Sequence, residues 1–545
     1  MHKTPAGVRH IVAGRSAEAD SPWDFSAASM DNAGMSDILL ATLNARYSHA
    51  SLGLRCLLAN MGELRAHAEL REYTTKRAPL EIVEDLLSRK PRLIGFGVYI
   101  WNIVETTRVV AILKALAPEV RIVLGGPEVS HETEGQEIVG LADHIITGPG
   151  ELSFAALCGQ VFSGENPTGR IIPGEVGSLA ELALPYGEYT DEDIRQRVIY
   201  VEASRGCPFK CEFCLSALDK TAKPFPLEHF LDAMDTLHQR GARQFKFVDR
   251  TFNLDVRSAS HILEFFLARL DEKLFLHFEI VPDHLPEALK ALIVRFPAGS
   301  LQFEVGIQSF NPWVQAQISR KQDNARTEIN LRWLRQHTQA HIHADLIVGL
   351  PGESLQSFAE GFDRLLALGP HEIQVGLLKR LRGAPIARHT VTSGLRFNPL
   401  PPYDILATGQ VDFTDMRRMA RFARYWDILA NSGCYKETLK LIIGDSPFHR
   451  FMVFSDWLYA RTGATHELAA EKLWRWLEEY LINVCRAETT AARQALSADI
   501  ALTGVLGIPG FLRDGPKANR QTKPAGRQER HQQFPAGPTT RPLHP

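Results

Sequence analysis

The sequence predicts an α/β protein. It has an N-terminal doubly wound, Rossmann-like domain, a central partial (β/α)6 TIM-like barrel and a mostly helical C-terminal domain. Three observations carry this. Short apolar runs alternate with helix-period segments through two separate stretches of chain. Those runs end in polar or glycine-rich turns. Beyond about residue 400 the runs stop and helical periodicity takes over.

The size agrees. The chain has 545 residues, and domains of about 100–200 residues give roughly three. Hydrophobic content is 45% and charged content 23%, the balance of a globular protein. A formal net charge of -2 gives no strong field toward nucleic acid or an anionic membrane. No apolar run reaches the ~18 residues that span a bilayer, and the first residues lack the apolar stretch of a signal peptide. The seven cysteines are odd in number and sparse. That excludes a disulfide framework and points to a reducing cytoplasm.

Residues 1–35, rich in Ala, Ser, Gly and Asp, are expected to be a disordered extension. The first α/β series occupies 36–162. Its strands are "DILLATL" (37–43), "RLIGFGV" (92–98) and "RIVLGG" (121–126), with a helix over "IVETTRVVAILKAL" (103–116). Apolar runs without polar alternation suit a parallel sheet covered on both faces. Such sheets bind ligands at the carboxyl ends of their strands. Residues 163–197 read as a Gly/Pro/Glu-rich linker.

The second series fills 198–400. Strands are expected at 198–204, 244–249, 274–280, 301–307, 343–349 and 372–378. Six βα units suggest a partial barrel with its chemistry at the C-terminal strand ends. Residues 401–512 form the helical domain; Met416, Met419, Phe422, Trp426 and Leu429 mark one apolar helix face. Residues 513–545, rich in Pro, Gly, Gln and Arg, read as a disordered tail.

The chemistry gathers in "RGCPFKCEFCLSA" (205–217). Cys207, Cys211 and Cys214 are spaced C-x3-C-x2-C, just after the first barrel strand. Buried structural thiols or a zinc site are the plain alternatives, but zinc normally takes four protein ligands and no fourth has a diagnostic spacing. An iron–sulfur cluster held by three thiolates keeps one iron open. Downstream, Asp249 follows the second barrel strand, as ligand acceptor or helix cap. Glu304 and Gln308 share one face of the fourth strand, opposite Leu301, Phe303 and Val305. The run "DLIVGLPGES" (345–354) ends the fifth strand in a glycine-rich turn at Gly349.

Three cysteines in this spacing, an aromatic at Phe213 and this βα series together resemble the radical S-adenosylmethionine (AdoMet) superfamily. The resemblance implies a 4Fe-4S cluster on Cys207, Cys211 and Cys214, with AdoMet chelated to the open iron and cleaved to a 5′-deoxyadenosyl radical. Phe213 would shield the cluster. Asp249 would receive the AdoMet amino group, in a "VDRTFN" turn similar to one cobalamin-associated branch. Glu304 and Gln308 would meet the ribose or carboxylate, and Gly349 the adenine.

An α/β domain ahead of such a barrel resembles cobalamin-binding radical AdoMet proteins with a helical C-terminal domain of unknown function. "LLKRLRGAP" (377–385) also looks like this group. The resemblance implies cobalamin in the loops after the first-domain strands. Tyr99 and Trp101 would lie on the corrin face and Gly125 and Gly126 beneath it. His49 is the candidate cobalt ligand. It departs from the D-x-H-x-x-G pattern, because Tyr47 precedes it and Gly53 follows four later. The expected activity is methylation of an unactivated carbon. A radical rearrangement, cyclisation or oxidation with the same cofactors is the near alternative, and a non-catalytic cobalamin or iron–sulfur sensor the distant one. A flavodoxin- or ferredoxin-type electron donor is implied. Specific nucleic acid and membrane partners are not.

Overall fold

The computed structural model describes residues 36–165, 167–503 and 527–532. The expected extension at 1–35 lies outside them. In the first domain six parallel strands form one sheet: β1 (Ile38–Asn44), β2 (Ala68–Thr74), β3 (Leu93–Gly97), β4 (Arg121–Gly125), β5 (His144–Thr147) and β6 (Ile171–Pro173). Their order is β2-β1-β3-β4-β5-β6. Every residue of β1 is buried. Leu39, Ala41 and Leu43 enter one core with the helices 79–88 and 103–116. Ile38 and Leu40 enter another with the helices 52–59 and 151–162. The sheet is thus doubly wound, and its strand order reverses between β1 and β3. That is where an open α/β sheet leaves a crevice.

One expectation changes here. The stretch 163–197 is not a loose linker: β6 pairs with β5, Asp191–Gln196 is a helix capped by Thr190, and Tyr186 and Tyr189 are buried. A parallel ladder lets a three-residue piece with little sequence signal join a sheet already formed. Strand β2, "AELREYT", is half-buried at the sheet edge, so it lacks the continuous apolar run that marks β1.

The barrel begins with β7 (Ile199–Val201). A short antiparallel ribbon of β8 (Ser204–Arg205) and β9 (Lys223–Pro224) frames the cysteine loop. Then come β10 (Gln244–Phe247), β11 (Phe275–Ile280), β12 (Leu301–Gln308), β13 (His341–Val348) and β14 (Glu372–Leu377). Strands β7 and β10–β14 form one parallel sheet in sequence order. Strand β12 alternates buried and half-buried residues along its length. Phe303 and Val305 pack outward under the helices, while Glu304 and Gln308 face the lumen with His277, Glu279 and Asp345.

A six-stranded partial barrel has two open edges. Beside β7, Val198 donates to the Ser48 carbonyl (3.0 Å), bringing the first domain against that edge. Beside β14, the Asn431 amide accepts from the Ile373 N–H (3.0 Å) and donates to the Ile373 carbonyl (2.9 Å). One side chain thus completes the hydrogen bonds a further strand would make. Asn431 arrives there on a widened helical turn, 427–431, that continues the helix Phe413–Trp426. Phe422 and Trp426 of that helix pack against Phe362 of the barrel helix 355–367 at 5.2 and 4.8 Å.

The C-terminal region adds a ribbon of β15 (Arg396–Phe397) and β16 (Ile405–Ala407) and further helices at 436–443, 447–462, 470–483 and 489–503. The expected tail is not wholly irregular: Arg527–Gln532 is helical, Arg527 bonds Glu372 (2.7 Å) and His531 is buried beside His341. Among the described residues, no helix is long and apolar enough to cross a membrane.

Candidate active site

One cavity opens between the first domain and the barrel mouth, and a second lies within the barrel mouth itself. The larger, ≈ 500 Å³, lies over the carboxyl ends of β3, β4 and β5 and against the helix 52–59. Its lining is rich in glycine: Gly53, Gly97, Gly125, Gly126, Gly148 and Gly150. Gly126 adopts φ +107, and a Cβ there would meet the Val98 carbonyl oxygen at 2.5 Å. Backbone, not side chain, therefore forms this floor, as a broad flat ligand requires. Asn102, fully buried, accepts from the Tyr99 N–H (2.8 Å) and donates to the Gly97 carbonyl (3.0 Å), fixing the loop after β3.

Tyr99, Gly125 and Gly126 line this cavity. Trp101 and His49 do not. Trp101 is 52% exposed and stacks on Tyr99 at 4.4 Å, away from the lining. The His49 ring turns to the barrel, with Nδ1 2.6 Å from the Tyr200 hydroxyl. Its pKa is lowered, first by burial and then by the charges of Arg46 and Lys246. No histidine is among the residues lining the cavity.

The second cavity, ≈ 280 Å³, holds all three clustered cysteines together with Phe213, Glu304 and Gln308. The loop carrying them is pinned from several sides. Gly206, at φ +95, turns the chain from β8 into the motif; a Cβ would lie 2.2 Å from the Thr221 carbonyl oxygen. The Cys207 N–H donates to the Asp219 carbonyl (2.9 Å). Glu212, between the second and third cysteines, is 4% exposed. Its carboxylate accepts from Ser319 Oγ (2.5 Å), Arg388 Nε (2.7 Å) and, as the geometry permits, His389 Nε2 (2.9 Å). Among the described residues no set of His, Cys, Asp or Glu converges on a single ion. A cubane binds each thiolate through a different iron, so convergence on one point is not what it needs.

The lumen wall is polar. Burial pushes the Glu304 carboxyl up, but the hydrogen bond from His277 (2.9 Å) and the Lys246 charge outweigh it and hold the pKa down at about 2. Gln308 Oε1 is buried without a hydrogen-bond partner, while Asp345 Oδ1 lies 3.3 Å from His343 Nε2 in an ion pair; both residues line the cavity. Gln308 also sits at φ +68, a conformation uncommon outside glycine. An orphaned acceptor at Gln308, in a strained conformation, suits a ligand carrying hydroxyl or amino donors. Arg320 brings a guanidinium to 3.6 Å from Cys211 Sγ.

Two of the expected site residues lie outside this cavity. Asp249 does not line the cysteine cavity. It is 2% exposed and accepts from the Ala203 N–H (3.0 Å) and Ser204 Oγ (2.6 Å), with burial pushing its pKa up to about 6. It braces the strand that leads into the motif. Gly349 is likewise outside the lining; Ile405 and Met416 of the C-terminal region pack against it. Among the described residues, the C-terminal domain contributes none to the cysteine cavity and packs along the barrel side.

Sequence reasoning missed Arg250, which lines both cavities and pairs with Glu279 at 2.7 Å. The charged residues inside the apolar run "LFLHFEI" signalled Glu279; nothing local signalled Arg250 or Arg320. The conspicuous "LLKRLRGAP" segment proves to be an inter-domain clasp. Arg382 donates to buried Glu128 (2.9 Å), which also accepts from the Tyr403 hydroxyl (2.6 Å), and Arg380 donates to Glu132 (2.9 Å).

Three family models match this architecture: a B12 binding domain over residues 38–158, the Radical SAM superfamily over 201–365, and a protein of unknown function, DUF4080, over 392–534. The chain is similar to the cobalamin-dependent radical SAM methyltransferase TokK of Streptomyces tokunonensis, 24% identical over 57% of this chain and 50% of that protein. It is also similar to the 2-(S-pantetheinyl)-carbapenam-3-carboxylate methyltransferase of Streptantibioticus cattleyicolor, 24% identical over the same shares. The chain spans about half the length of these curated relatives. Its fold is similar to that of the radical S-adenosylmethionine methyltransferase TsrM of Kitasatospora setae, with TM-score 0.54 and 18% identity over 68% of this chain and 80% of that one.

Proposed function

We propose cobalamin-dependent methyl transfer to an unactivated carbon for this chain, which belongs to the radical SAM proteins that carry a B12-binding domain. The observation that carries the reading is the shared wall: Arg250 lines the glycine-floored cavity and the cysteine cavity alike. A substrate lying along Arg250 reaches both.

When bound, a 4Fe-4S cluster supplies the electron that cleaves AdoMet to a hydrogen-abstracting radical, and cobalamin supplies the methyl group. The chain's own residues hold, orient and exclude. Cys207, Cys211 and Cys214 are the cluster ligands, and Phe213 covers them from water. Gln308 and Asp345 offer acceptors to the hydroxyl or amino donors of AdoMet. Glu304, kept ionised by His277 and Lys246, completes the charged wall. Gly125, Gly126 and Tyr99 receive the corrin. No histidine lines that cavity, so its residues would offer a bound cobalamin no imidazole.

The site of action is the cytoplasm, consistent with sparse cysteines and an oxygen-sensitive cluster. The test is anaerobic reconstitution with cobalamin and methyl-labelled AdoMet, followed by incubation with extract from a strain lacking the gene. Wild-type protein should release 5′-deoxyadenosine and label a product one CH2 heavier. Cys211→Ala should do neither while still binding cobalamin. Deoxyadenosine release undiminished in Cys211→Ala overturns the cluster assignment, and a product of unchanged mass overturns methylation. An electron-spin-resonance spectrum of bound cob(II)alamin with nitrogen hyperfine splitting that disappears in His49→Ala would overturn the placement of His49 outside the cobalamin cavity.

A further inference from the structure

One short segment, residues 380–389, grips a loop of each cavity. It follows the end of β14 and meets the first domain first. There Arg382 Nε donates to buried Glu128 (2.9 Å), Arg380 donates to one oxygen of Glu132 (2.9 Å), and the Gly383 N–H donates to the other (3.1 Å). A few residues on, the segment meets the cysteine loop. The Ile386 N–H donates to the Glu212 carbonyl (2.8 Å), while Arg388 Nε (2.7 Å) and His389 Nε2 (2.9 Å) hold the Glu212 carboxylate. Little slack lies between the two grips. Ala384 and Ile386 are buried, and Pro385–Arg388 closes in a tight helical turn. Gly383, at φ +82, packs so closely that a Cβ there would run into the His131 ring.

Each grip reaches further than its own contacts. Between Glu128 and Glu132 stands Ser130, whose hydroxyl donates to the Gly126 carbonyl (2.8 Å) and accepts from the Gly148 N–H (3.1 Å). Both glycines line the larger cavity. Gln136 stiffens the same loop by donating to the carbonyls of Glu128 (3.3 Å), His131 (3.1 Å) and Glu132 (2.9 Å). Glu132 sits at φ +47, a conformation that a residue with a side chain keeps only where its surroundings fix it. At the other end, Glu212 directly follows Cys211. The glycine floor and the cysteine loop are thus joined by one continuous run of short hydrogen bonds and buried side chains, the kind of contiguous path that carries coupling between sites.

We propose that residues 380–389 are a strut that fixes the glycine floor against the cysteine loop, with Glu128 and Glu132 as positioning residues, so that cobalamin on the floor orders the loop 207–219. The proposal rests on the cofactor assignments above. Coupling of this kind is reciprocal: if cobalamin orders the loop for a cluster, the cluster tightens cobalamin by the same factor. Chemistry shared between two bound groups tolerates little drift in their separation, and a short tie between their two loops limits it. No bond is made or broken in the coupling itself.

The test uses the full-length protein and hydroxocobalamin. On cluster-free wild type, saturating hydroxocobalamin should slow deuterium exchange of amides in 207–219 by about fivefold or more. E128Q/E132Q keeps Ser130 and every floor glycine, so it should still bind hydroxocobalamin, but the slowing in 207–219 should vanish. R380M/R382M cuts the same joint from the strut side and should behave alike, so either pair suffices if the other fails to fold. A merely structural loosening would raise the exchange rate with and without cobalamin and leave their ratio unchanged. Absorbance titration gives the reciprocal reading: cluster-loaded wild type should bind hydroxocobalamin more tightly than cluster-free protein by the same factor, and neither double variant should show the difference. Slowing that persists in both double variants overturns the strut and leaves the cofactor assignments standing. So does hydroxocobalamin binding to wild type with no change in 207–219. Failure of wild type to bind hydroxocobalamin overturns the cobalamin assignment and the proposal with it.

Discussion

Replacing Glu212 with alanine should loosen the cysteine loop without unfolding the barrel. The size of the effect follows from what each partner loses. Arg388 has a side chain 62% exposed and recovers its solvation at little cost. His389 is 7% exposed and Ser319 half-buried, so their polar atoms lose an acceptor where water is scarce. One stranded buried group costs about 1–3 kcal/mol, so we expect a loss of about 2 kcal/mol, confined to the loop. The main-chain bonds from Glu212 N to the Ile318 carbonyl and from Ile386 N to the Glu212 carbonyl do not depend on the side chain and should keep the fold intact. At 1.4 kcal/mol per factor of ten, amides in 207–219 should exchange with deuterium roughly 30-fold faster, read by mass spectrometry on the cluster-free protein. Peptides from β12 and β13 should be unaffected. Iron loading on reconstitution should fall in parallel, and Glu212→Gln should show a smaller change in both. Exchange within threefold of wild type in the alanine variant would refute the claim that this carboxylate organises the loop.

Three further outcomes are expected. Asn431→Ala leaves the Ile373 N–H and carbonyl without partners and should cost about 2 kcal/mol, seen as a lower thermal midpoint with earlier aggregation. Gly126→Ala must relieve a 2.5 Å clash at φ +107, worth about 1–3 kcal/mol of backbone strain before the clash is counted; it should weaken cobalamin retention on gel filtration. Glu304 is held at about 2, below its ordinary value, so its ion pair stabilises the protein above the unfolded pKa and that contribution is lost as pH falls toward 2. Glu304→Gln should therefore flatten the stability profile on the acid side of pH 4.5, measured by urea midpoints; an unchanged slope would remove His277 and Lys246 as the cause.

How legible this molecule was in its sequence depended on which residues had to be apolar. Strands β1, β3 and β4 and the barrel strands β7 and β10–β14 are covered on at least one face, and their runs of Ile, Leu, Val and Phe stand out. Strand β2 and β6 lie on sheet edges with half-exposed residues, so pairing and not composition defines them. The cysteines were legible because three thiols proposed as ligands sit on one short loop at a fixed spacing. Asp249 and Arg250 show the limit: adjacent residues after β10 point opposite ways. The acid turns back onto Ala203 and Ser204 while the base enters the cavities. Only the path of the chain past the strand end decides between them. The tail helix 527–532 was hidden for a similar reason, since Arg527 and His531 find partners from Glu372, Asn431 and His341, far away in sequence.

The two sealed edges of the half-barrel carry a consequence for biosynthesis. The first domain, which covers the β7 edge, leaves the ribosome before the barrel, but Asn431 and the aromatic helix that cover β14 and Phe362 leave after it. For that interval the nascent barrel exposes an unpaired strand flanked by Phe358 and Phe362, a surface prone to pairing with other chains. Chains that terminate near residue 400 should therefore be held by chaperones or lost to inclusion bodies, although every residue of the cluster loop has already been made. The C-terminal region is thus indispensable to the protein's yield in the cell without lining the cysteine cavity.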